Sequence, residues 1–445
     1  MIRQWTPAEI IALRKAAILS PPEFASKVGV TARTVILWEN GQSRKLHAAS
    51  TRLLQAMLDG ADETVRRRFR ALLDDPTSTN PSLALEMDTD APGANRREFL
   101  AAVAAAMVGS AVELARWRMP LPTSSAPLPE QIGASDVTRL RRTADGIRDL
   151  DSRFGGGYAV DPTLGVLSRG AAMLSRCRDE NVLRDLYVAL ADLSNIVAWA
   201  HHDAGQQQRA RLHLAQGLRW ALEAGTLESH SISADLLFGL ARVELHEHDP
   251  HAALEMVQLG QIAATKATDT AASAQLHATA AWAYAQQGNH RLTQDSLARC
   301  EHEIGLTTTD SAGPWMQVFF SPGDYAGHRA LVHGVLAANV TDRQIADKSA
   351  TAAVELTATA RAASGPGRPV RSMLFDSIVA ATNSFRVGDV ESAIPHTQRV
   401  ITGLGDIATQ RGIDRLADIT AAATPHIADS TVADLLADID QLVSA

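Results

Sequence analysis

The sequence has few cysteines and few aromatic residues, and each scarcity excludes a class of protein. Cys177 and Cys300 are the two cysteines in 445 residues. This is too few for a disulfide framework or a thiolate metal site, and it favours a reducing, cytoplasmic location. Phe, Trp and Tyr make up 4% of the chain, whereas alanine and leucine are abundant. Small side chains let helix axes approach closely, and sheets favour aromatic and β-branched residues, so this composition predicts an all-α fold.

Long apolar runs are absent as well. No run reaches the ~20 residues that a membrane span requires, and the first residues lack the pattern of a signal peptide. Arg96-Arg97-Glu98-Phe99-Leu100 is similar to a twin-arginine export signal, but it follows a complete N-terminal domain and precedes an apolar stretch of only about 14 residues. We therefore predict a connecting helix at 95–118, which docks on the body or on a second subunit, and no contact with a membrane.

Charge and proline content divide the chain. Residues 1–76 contain 12 Lys/Arg and 8 Asp/Glu, whereas the remainder contains 30 and 42, so a mildly basic head precedes an acidic body. This distribution is compatible with nucleic-acid binding by the head alone. Two proline-rich stretches are typical of linkers. We predict one domain at 1–75, linkers flanking a helix within 76–135, and a large helical domain at 136–445.

Start signals for short helices recur in the head. Thr6-Pro7-Ala8-Glu9 combines an N-cap, proline at the first helical position and glutamate at the third. Ser20-Pro21-Pro22-Glu23 repeats the signal, and this second helix ends at Gly29. A third helix, capped by Thr31, follows after one turn. Such a pair predicts a helix-turn-helix, whose second helix reaches base edges in a major groove about 12 Å wide.

A known family has the same pattern. Phe24 to Thr31, Thr34-Val35 and Trp38-Glu39-Asn40-Gly41 resemble the Xre/Cro/C1 class of helix-turn-helix domains over residues 6–60. The resemblance implies a sequence-specific transcription regulator that binds double-stranded DNA. We expect a homodimer on a palindromic operator with half-sites about 34 Å apart, or a multiple of that distance.

The resemblance also implies a DNA-binding surface. The residues assigned to it are Ser20, Thr31, Ala32, Arg33, Thr34, Leu37, Asn40, Gln42, Arg44 and Lys45. Arg33 is the main candidate for direct readout because a guanidinium can bond guanine bidentately. Pro21 replaces a polar residue that many relatives have, so one phosphate contact is lost.

For some other residues of the head, contact with DNA and a structural role are both open, and two more are expected in the core. Ile36 and Leu37 either contact thymine methyls or pack on a neighbouring helix. The run Arg66 to Arg70 either approaches DNA or forms a solvated helix face. Val35 and Trp38 are expected to lie in the core, because they fall on the inner stripe of the third helix.

A short motif recurs in the acidic body. Ala198 to Gly205 is repeated as Ala281 to Gly288, and Gly388 to Ile394 repeats its turn. His248-Asp249-Pro250 is a version in which Asp-Pro makes the turn. These turns resemble tetratricopeptide repeats, in about five degenerate helix pairs between 182 and 405 with capping helices on either side.

The repeat resemblance implies a curved α-solenoid with a concave ligand surface. The whole arrangement resembles actinobacterial Xre-type regulators with tetratricopeptide-like C-terminal domains, which implies control of development or secondary metabolism. Asn195 and Asn383 lie on predicted first helices, with Trp199 and Trp282 in the repeated motif. We expect these four residues to bind a peptide or small-molecule effector, although helix-surface asparagine is the alternative for both amides.

Catalytic patterns are weak throughout. Gly155-Gly156-Gly157 lacks the Lys-Ser/Thr of a phosphate-binding loop, so a turn between helices is the better interpretation. His246, His248 and His251, like His201-His202, lack the i, i+4 spacing of paired zinc ligands. No Ser/His/Asp or Cys/His arrangement is visible, so we predict no enzyme, no cofactor and no metal. The alternative function is a protein-interaction scaffold with a vestigial DNA-binding head.

Overall fold

The computed structural model is all-helical and has no strand among the residues that it describes. These residues are 5–16, 21–30, 34–35, 38, 48–59, 65–66, 69, 92–108, 114, 117, 121, 128–307, 321–365, 368–407 and 409–444. The chain divides into two compact units, Met1–Gly93 and Ala94–Ala445, which we call the head and the body.

The described part of the head contains helices α1 (Pro7–Ala16), α2 (Pro21–Val28) and α3 (Ala48–Asp59). The predicted start of α1 is confirmed. The Thr6 N–H donates to Glu9 Oε2 at 2.6 Å, and the Glu9 N–H donates to Thr6 Oγ1 at 3.4 Å. This reciprocal capping satisfies two backbone donors that a helix start leaves free.

A small apolar core holds the head together. Ile10, Leu13 and Phe24 are buried in it, together with Val35 and Trp38. The prediction that Val35 and Trp38 belong to the core is therefore confirmed. Thr34 is half-buried in the same segment. The rest of the predicted third helix lies outside the described residues.

The described body consists of helices in sequence. They are α4 (Pro92–Val108), α5 (Ala134–Phe154), α6 (Gly156–Met173), α7 (Glu180–Asp203), α8 (Gln207–Ala224), α9 (Leu227–His246), α10 (Pro250–Ala267), α11 (Thr270–Gln286), α12 (His290–Leu306), α13 (Pro322–Asn339), α14 (Arg343–Ala362), α15 (Val370–Arg386), α16 (Val390–Asp406), α17 (Gln410–Asp414), α18 (Leu416–Ala423) and α19 (Ser430–Ser444). From α7 to α16 they pair as hairpins, and each first helix also contacts the first helix of the next pair or the one before.

The segment with the twin-arginine pattern belongs to α4. Phe99 and Leu100 are buried, and the Phe99 ring meets the Trp117 ring edge to face at 5.1 Å between centroids. The apolar side of α4 therefore packs against Trp117. None of the described helices has the length and apolar character that crossing a bilayer requires.

Turn chemistry explains where the hairpins form. Gly205, Gly288 and Gly388 follow first helices and have φ values of 76°, 67° and 80°. His248 takes the same left-handed conformation with φ 58° in the Asp-Pro version of the turn. After three of these turns the next helix starts at a capping side chain, Asp249, Asn289 or Asp389, and Asp249 accepts the Ala252 N–H at 3.0 Å. The recurring motif therefore marks real helix ends.

The turn at Gly288 also brings two segments together. A Cβ atom at Gly288 would lie 2.5 Å from the Asn339 carbonyl oxygen, whereas one at Gly225, also left-handed, would meet nothing within 4 Å. Positive φ costs an L-residue about 1–2 kcal/mol, and forced repacking adds about 1–3 kcal/mol. We expect Gly288→Ala to lower the free energy of unfolding by about 2–5 kcal/mol in urea titrations.

Gly225→Ala is the matched control for this prediction, because it carries the cost of positive φ without the close contact. It should lower the free energy of unfolding by only about 1–2 kcal/mol. Equal losses in the two variants would show that the approach of Asn339 to Gly288 has no energetic consequence.

Candidate ligand-binding site

A cavity lies inside the body, lined by first helices of the pairs, by α5 and by the segment that carries α17. Its volume is about 180 Å³, counted as the space that the centre of a water molecule can occupy. One water needs ~10–15 Å³ by this measure, so roughly a dozen non-hydrogen atoms have room. The ionisable residues of its lining are Arg148, Asp151, Asp235, Arg242, Asp324, His328, Arg368, Arg371, Asp376, Arg411 and Arg415.

Helical spacing places these side chains on one face of each helix. Asp235, Phe238 and Arg242 of α9 all line the cavity, as do Asn195 and Trp199 of α7. Residues separated by three, four or seven positions lie above one another on a helix. Consecutive first helices thus present their inner faces to the same space.

An ion-pair network closes the body around the cavity. Arg371 of α15 bonds Asp151 of α5 at 3.1 Å and Asp203 of α7 at 2.9 Å. Arg411 of α17 bonds the other oxygen of Asp203 at 2.8 Å. One carboxylate therefore joins an early helix to two late segments of the chain.

Asp203 is fully buried, and both of its carboxylate oxygens have hydrogen-bond partners. It also accepts hydrogen bonds from the Gly156 N–H at 3.0 Å and the Thr409 hydroxyl at 2.9 Å. Burial by itself would raise the pKa of this carboxyl, but the charges of Arg371 and Arg411 outweigh it and hold the pKa well below its ordinary value. Asp203 is thus an anion at neutral pH.

Two more lining arginines are paired with carboxylates. Arg368 bonds Asp324 at 3.1 Å and Asp376 at 2.6 Å, and Arg148 bonds Asp192 and Asp145. Burial raises the pKa of Asp376 to about 6, although its hydrogen bond with Arg368 acts in the opposite direction.

Aromatic rings support the remaining arginines. The Arg242 guanidinium lies 4.5 Å from the centroid of Trp282, and that of Arg415 lies 4.6 Å from the centroid of Phe375. Arg411 lies between Phe375 and Trp199, at 5.2 Å and 5.7 Å. We call Arg242, Arg411 and Arg415 the arginine end of the cavity.

Amides and a carboxyl group form the opposite end. Asn195 Nδ2 donates to Asp235, and Gln275 of α11 lies on the same lining. Burial raises the pKa of Asp235 to about 7, and the nearby charge of Asp192 adds to the rise. We call Asn195, Asp235 and Gln275 the acceptor end.

The four residues predicted to bind an effector lie in different surroundings. Asn195 and Trp199 line the cavity. Trp282 lies behind the lining, beneath Arg242. Asn383 is buried away from the lining, where its Nδ2 donates to the Val379 carbonyl at 2.8 Å and its Oδ1 accepts from Arg386 at 3.1 Å. The structure brings the first three together and leaves Asn383 apart.

Of the predicted DNA-binding residues, Thr34 is within the described part of the head. The other nine, Ser20, Thr31, Ala32, Arg33, Leu37, Asn40, Gln42, Arg44 and Lys45, lie outside the described residues. Their roles stay predictions.

The glycines and histidines that the sequence analysis tested for catalysis have structural roles. Gly155 ends α5 with φ 87°, and the Gly156 N–H serves Asp203. His246 bonds Asp414 at 3.0 Å, and the rings of His201 and His213 stack at 5.2 Å. Across the described ranges, no group of three or more His, Cys, Asp or Glu residues is arranged to hold a metal ion.

Sequence reasoning missed the arginine end, although a signal was present. Counted back from the turn residue, Arg242 takes the position that tryptophan holds as Trp199 and Trp282. A cation at an aromatic position of a repeat indicates a specific role. Arg411 and Arg415 had no comparable signal, because they fall in a segment expected to cap the repeats.

Comparisons with protein-family models, curated proteins and solved structures found no match to this chain.

Proposed function

We propose that this chain is a ligand-responsive, sequence-specific DNA-binding transcription regulator. Its head is an Xre-type helix-turn-helix domain and its body a tetratricopeptide-like solenoid. One observation carries the DNA-binding half of the proposal. Phe24, Val28, Val35 and Trp38 belong to the segments that resemble the family, and all four lie in one buried core in the described part of the head, as a folded helix-turn-helix domain requires.

The cavity supports the sensing half. Binding sites for small molecules are concave and mostly apolar, with a few oriented polar groups, and this cavity combines aromatic rings with fixed arginines and amides. A ligand with different affinities for two arrangements of a homodimer would shift the spacing of its two heads, and hence operator binding. This role fits a cytoplasmic regulator of development or secondary metabolism.

Loss of Arg33 tests the DNA-binding half. We expect wild-type protein to give sequence-selective footprints on the promoter nearest its own gene. Arg33→Ala should weaken binding to the protected site about 10- to 100-fold, because one bidentate guanine contact contributes about 1–3 kcal/mol of discrimination. Affinity for unrelated DNA should change little, since phosphate contacts dominate there.

Arg343→Ala is the control for lost charge, because it removes one exposed arginine of α14. It should leave operator affinity unchanged. Absence of selective footprints from wild type, or equal operator affinity of wild type and Arg33→Ala, would contradict the proposal. Recovery of a partner protein without salt-sensitive DNA binding would instead favour an interaction scaffold.

A further inference from the structure

Two arginines of the cavity have no carboxylate partner. Arg148, Arg368, Arg371 and Arg411 each form ion pairs. In the described part of the body, neither Arg242 nor Arg415 has an Asp or Glu oxygen within 4.0 Å. Uncompensated charge in a cavity wall is unfavourable. These two guanidinium groups are therefore the ones that an incoming anion would meet without displacing an existing ion pair.

Both groups are held in place. His328 Nε2 lies 2.9 Å from the Ala278 carbonyl oxygen, so this nitrogen carries the proton and Nδ1 accepts. Arg242 Nη1 donates to that Nδ1 at 3.4 Å, while the guanidinium stacks on Trp282. Arg415 stacks on Phe375 and also lies 5.8 Å from the Trp282 ring. The orientation of both cations is therefore fixed before any ligand arrives.

The unbalanced charge has an electrostatic cost. Burial, followed by the charges of Arg411 and Arg415, lowers the pKa of Arg242. Burial and the charge of Arg411 lower the pKa of Arg415 to about 10. Arginine side chains stay protonated at neutral pH, so the empty cavity holds neighbouring cations that repel one another. A bound anion would relieve this repulsion.

The acceptor end offers free lone pairs. Asn195 and Gln275 are 4% and 6% exposed, and Asn195 Oδ1 and Gln275 Oε1 have no hydrogen-bond partner. A buried acceptor without a donor costs about 1–3 kcal/mol. Asn195 and Gln275 are both lining residues of the cavity, and their oxygens require N–H or O–H groups, which a ligand can supply.

Helix geometry gives the distance between the two ends. Asp235 and Arg242 are seven residues apart on α9, and so are Gln275 and Trp282 on α11. At ~1.5 Å per residue, the separation along the helices is about 10 Å. Trp199, Phe238 and Phe375 lie on the lining of the same cavity and offer ring faces to a planar apolar group.

We propose that the cavity binds a small organic anion about 10 Å long, with its acidic group at Arg242 and Arg415 and a hydrogen-bond donor at Asn195 and Gln275. An aromatic or similarly flat apolar part connects the two. This proposal names the ligand class for the sensing half of the proposed function and rests on it. The acidic group is a carboxylate or a phosphate ester, since a guanidinium binds both.

Isothermal titration of the full chain after exhaustive dialysis tests the ligand class. The probes are para-hydroxyphenylpropionate, its neutral amide and para-hydroxyphenylethyl phosphate. We expect the acid or the phosphate ester to bind at least ~10-fold more tightly than the amide, and the better of the two identifies the acidic group. If neither charged probe binds more tightly than the amide, the proposal is overturned.

Substitutions locate the two ends. Arg415→Gln and Arg242→Gln should each remove most of the preference for the charged probe and raise the Tm of the empty protein, because repulsion is relieved. Gln275→Leu should weaken the hydroxylated acid but not phenylpropionate, which lacks the donor. Arg343→Gln is the control and should bind as wild type does. Unchanged charge preference in both cavity arginine variants would overturn the proposal.

These titrations contain no DNA. Their failure would leave the Arg33 footprinting result as it stands, and failure of footprinting would leave the titrations as they stand. The two proposals are therefore tested separately.

Discussion

Asp203→Asn is expected to lower the free energy of unfolding of the body by about 3–5 kcal/mol, because it leaves buried guanidinium groups without their shared carboxylate. Arg371 would keep Asp151, but Arg411 would lose the carboxylate that it bonds. Such a loss is a large part of the ~5–15 kcal/mol by which domains are usually stable. Urea-induced unfolding followed by circular dichroism measures the effect.

The effect should depend on pH in a defined direction. The pKa of Asp203 is lower in the folded chain than its ordinary value of 3.8. Its contribution is therefore complete above pH 3.8 and decreases as acid protonates the folded carboxyl. The difference between wild type and variant should be constant from neutral pH down to that region and should narrow below it.

Asp347→Asn is the control, since Asp347 is 68% exposed and faces the exposed Arg343 at 4.0 Å. Exposed pairs contribute about 0–1 kcal/mol, so this variant should unfold almost as wild type does. A loss below about 1 kcal/mol for Asp203→Asn would refute the view that this carboxylate closes the body.

Phe24→Ala is expected to unfold the head and abolish operator binding while the body stays folded. Phe24 is fully buried in the head's core. Removing a buried phenyl group costs about 3–5 kcal/mol, and small domains have little stability in reserve. Since the body has its own core, we expect its unfolding transition to keep the wild-type midpoint.

Limited proteolysis and footprinting check this prediction together. Rapid cleavage within residues 1–93, with a resistant body and no footprint, is the expected pattern. Leu53→Ala is the control, because Leu53 of α3 is 45% exposed. It should retain protease resistance in the head. A Phe24→Ala protein that still protects the operator would argue against a folded head as the DNA-binding element.

Local chemistry made part of this molecule predictable from sequence. The turns at Gly205, Gly288 and Gly388 follow from glycines that favour positive φ, and the structure has helix ends there. Val35 and Trp38 follow from helical periodicity. Asn195 and Trp199 were placed on an inner surface because they lie on a first helix, and both line the cavity.

Contacts between distant segments were not predictable. Arg411 reaches Asp203 across 208 positions, and Arg371 reaches Asp151 across 220. No sequence periodicity connects such pairs. The repeated motif did contain one sign of such a contact. Asp203 in the first copy occupies the position that Gln286 holds in the second copy. Charge at one copy of a repeated position indicates a contact that the repeat itself does not require.

The late position of Arg411 and Arg415 has a consequence for how the body is made. The hairpins depend on neighbours in sequence, so they can form as the chain leaves the ribosome. The cavity wall requires residues 409–415 and is therefore assembled after nearly all of the chain has been synthesised. Contacts across more than 200 residues close slowly, because the intervening chain must be ordered first. We therefore expect a nascent body to be an open array of hairpins, in which the proposed ligand-binding cavity is completed in the last step of folding.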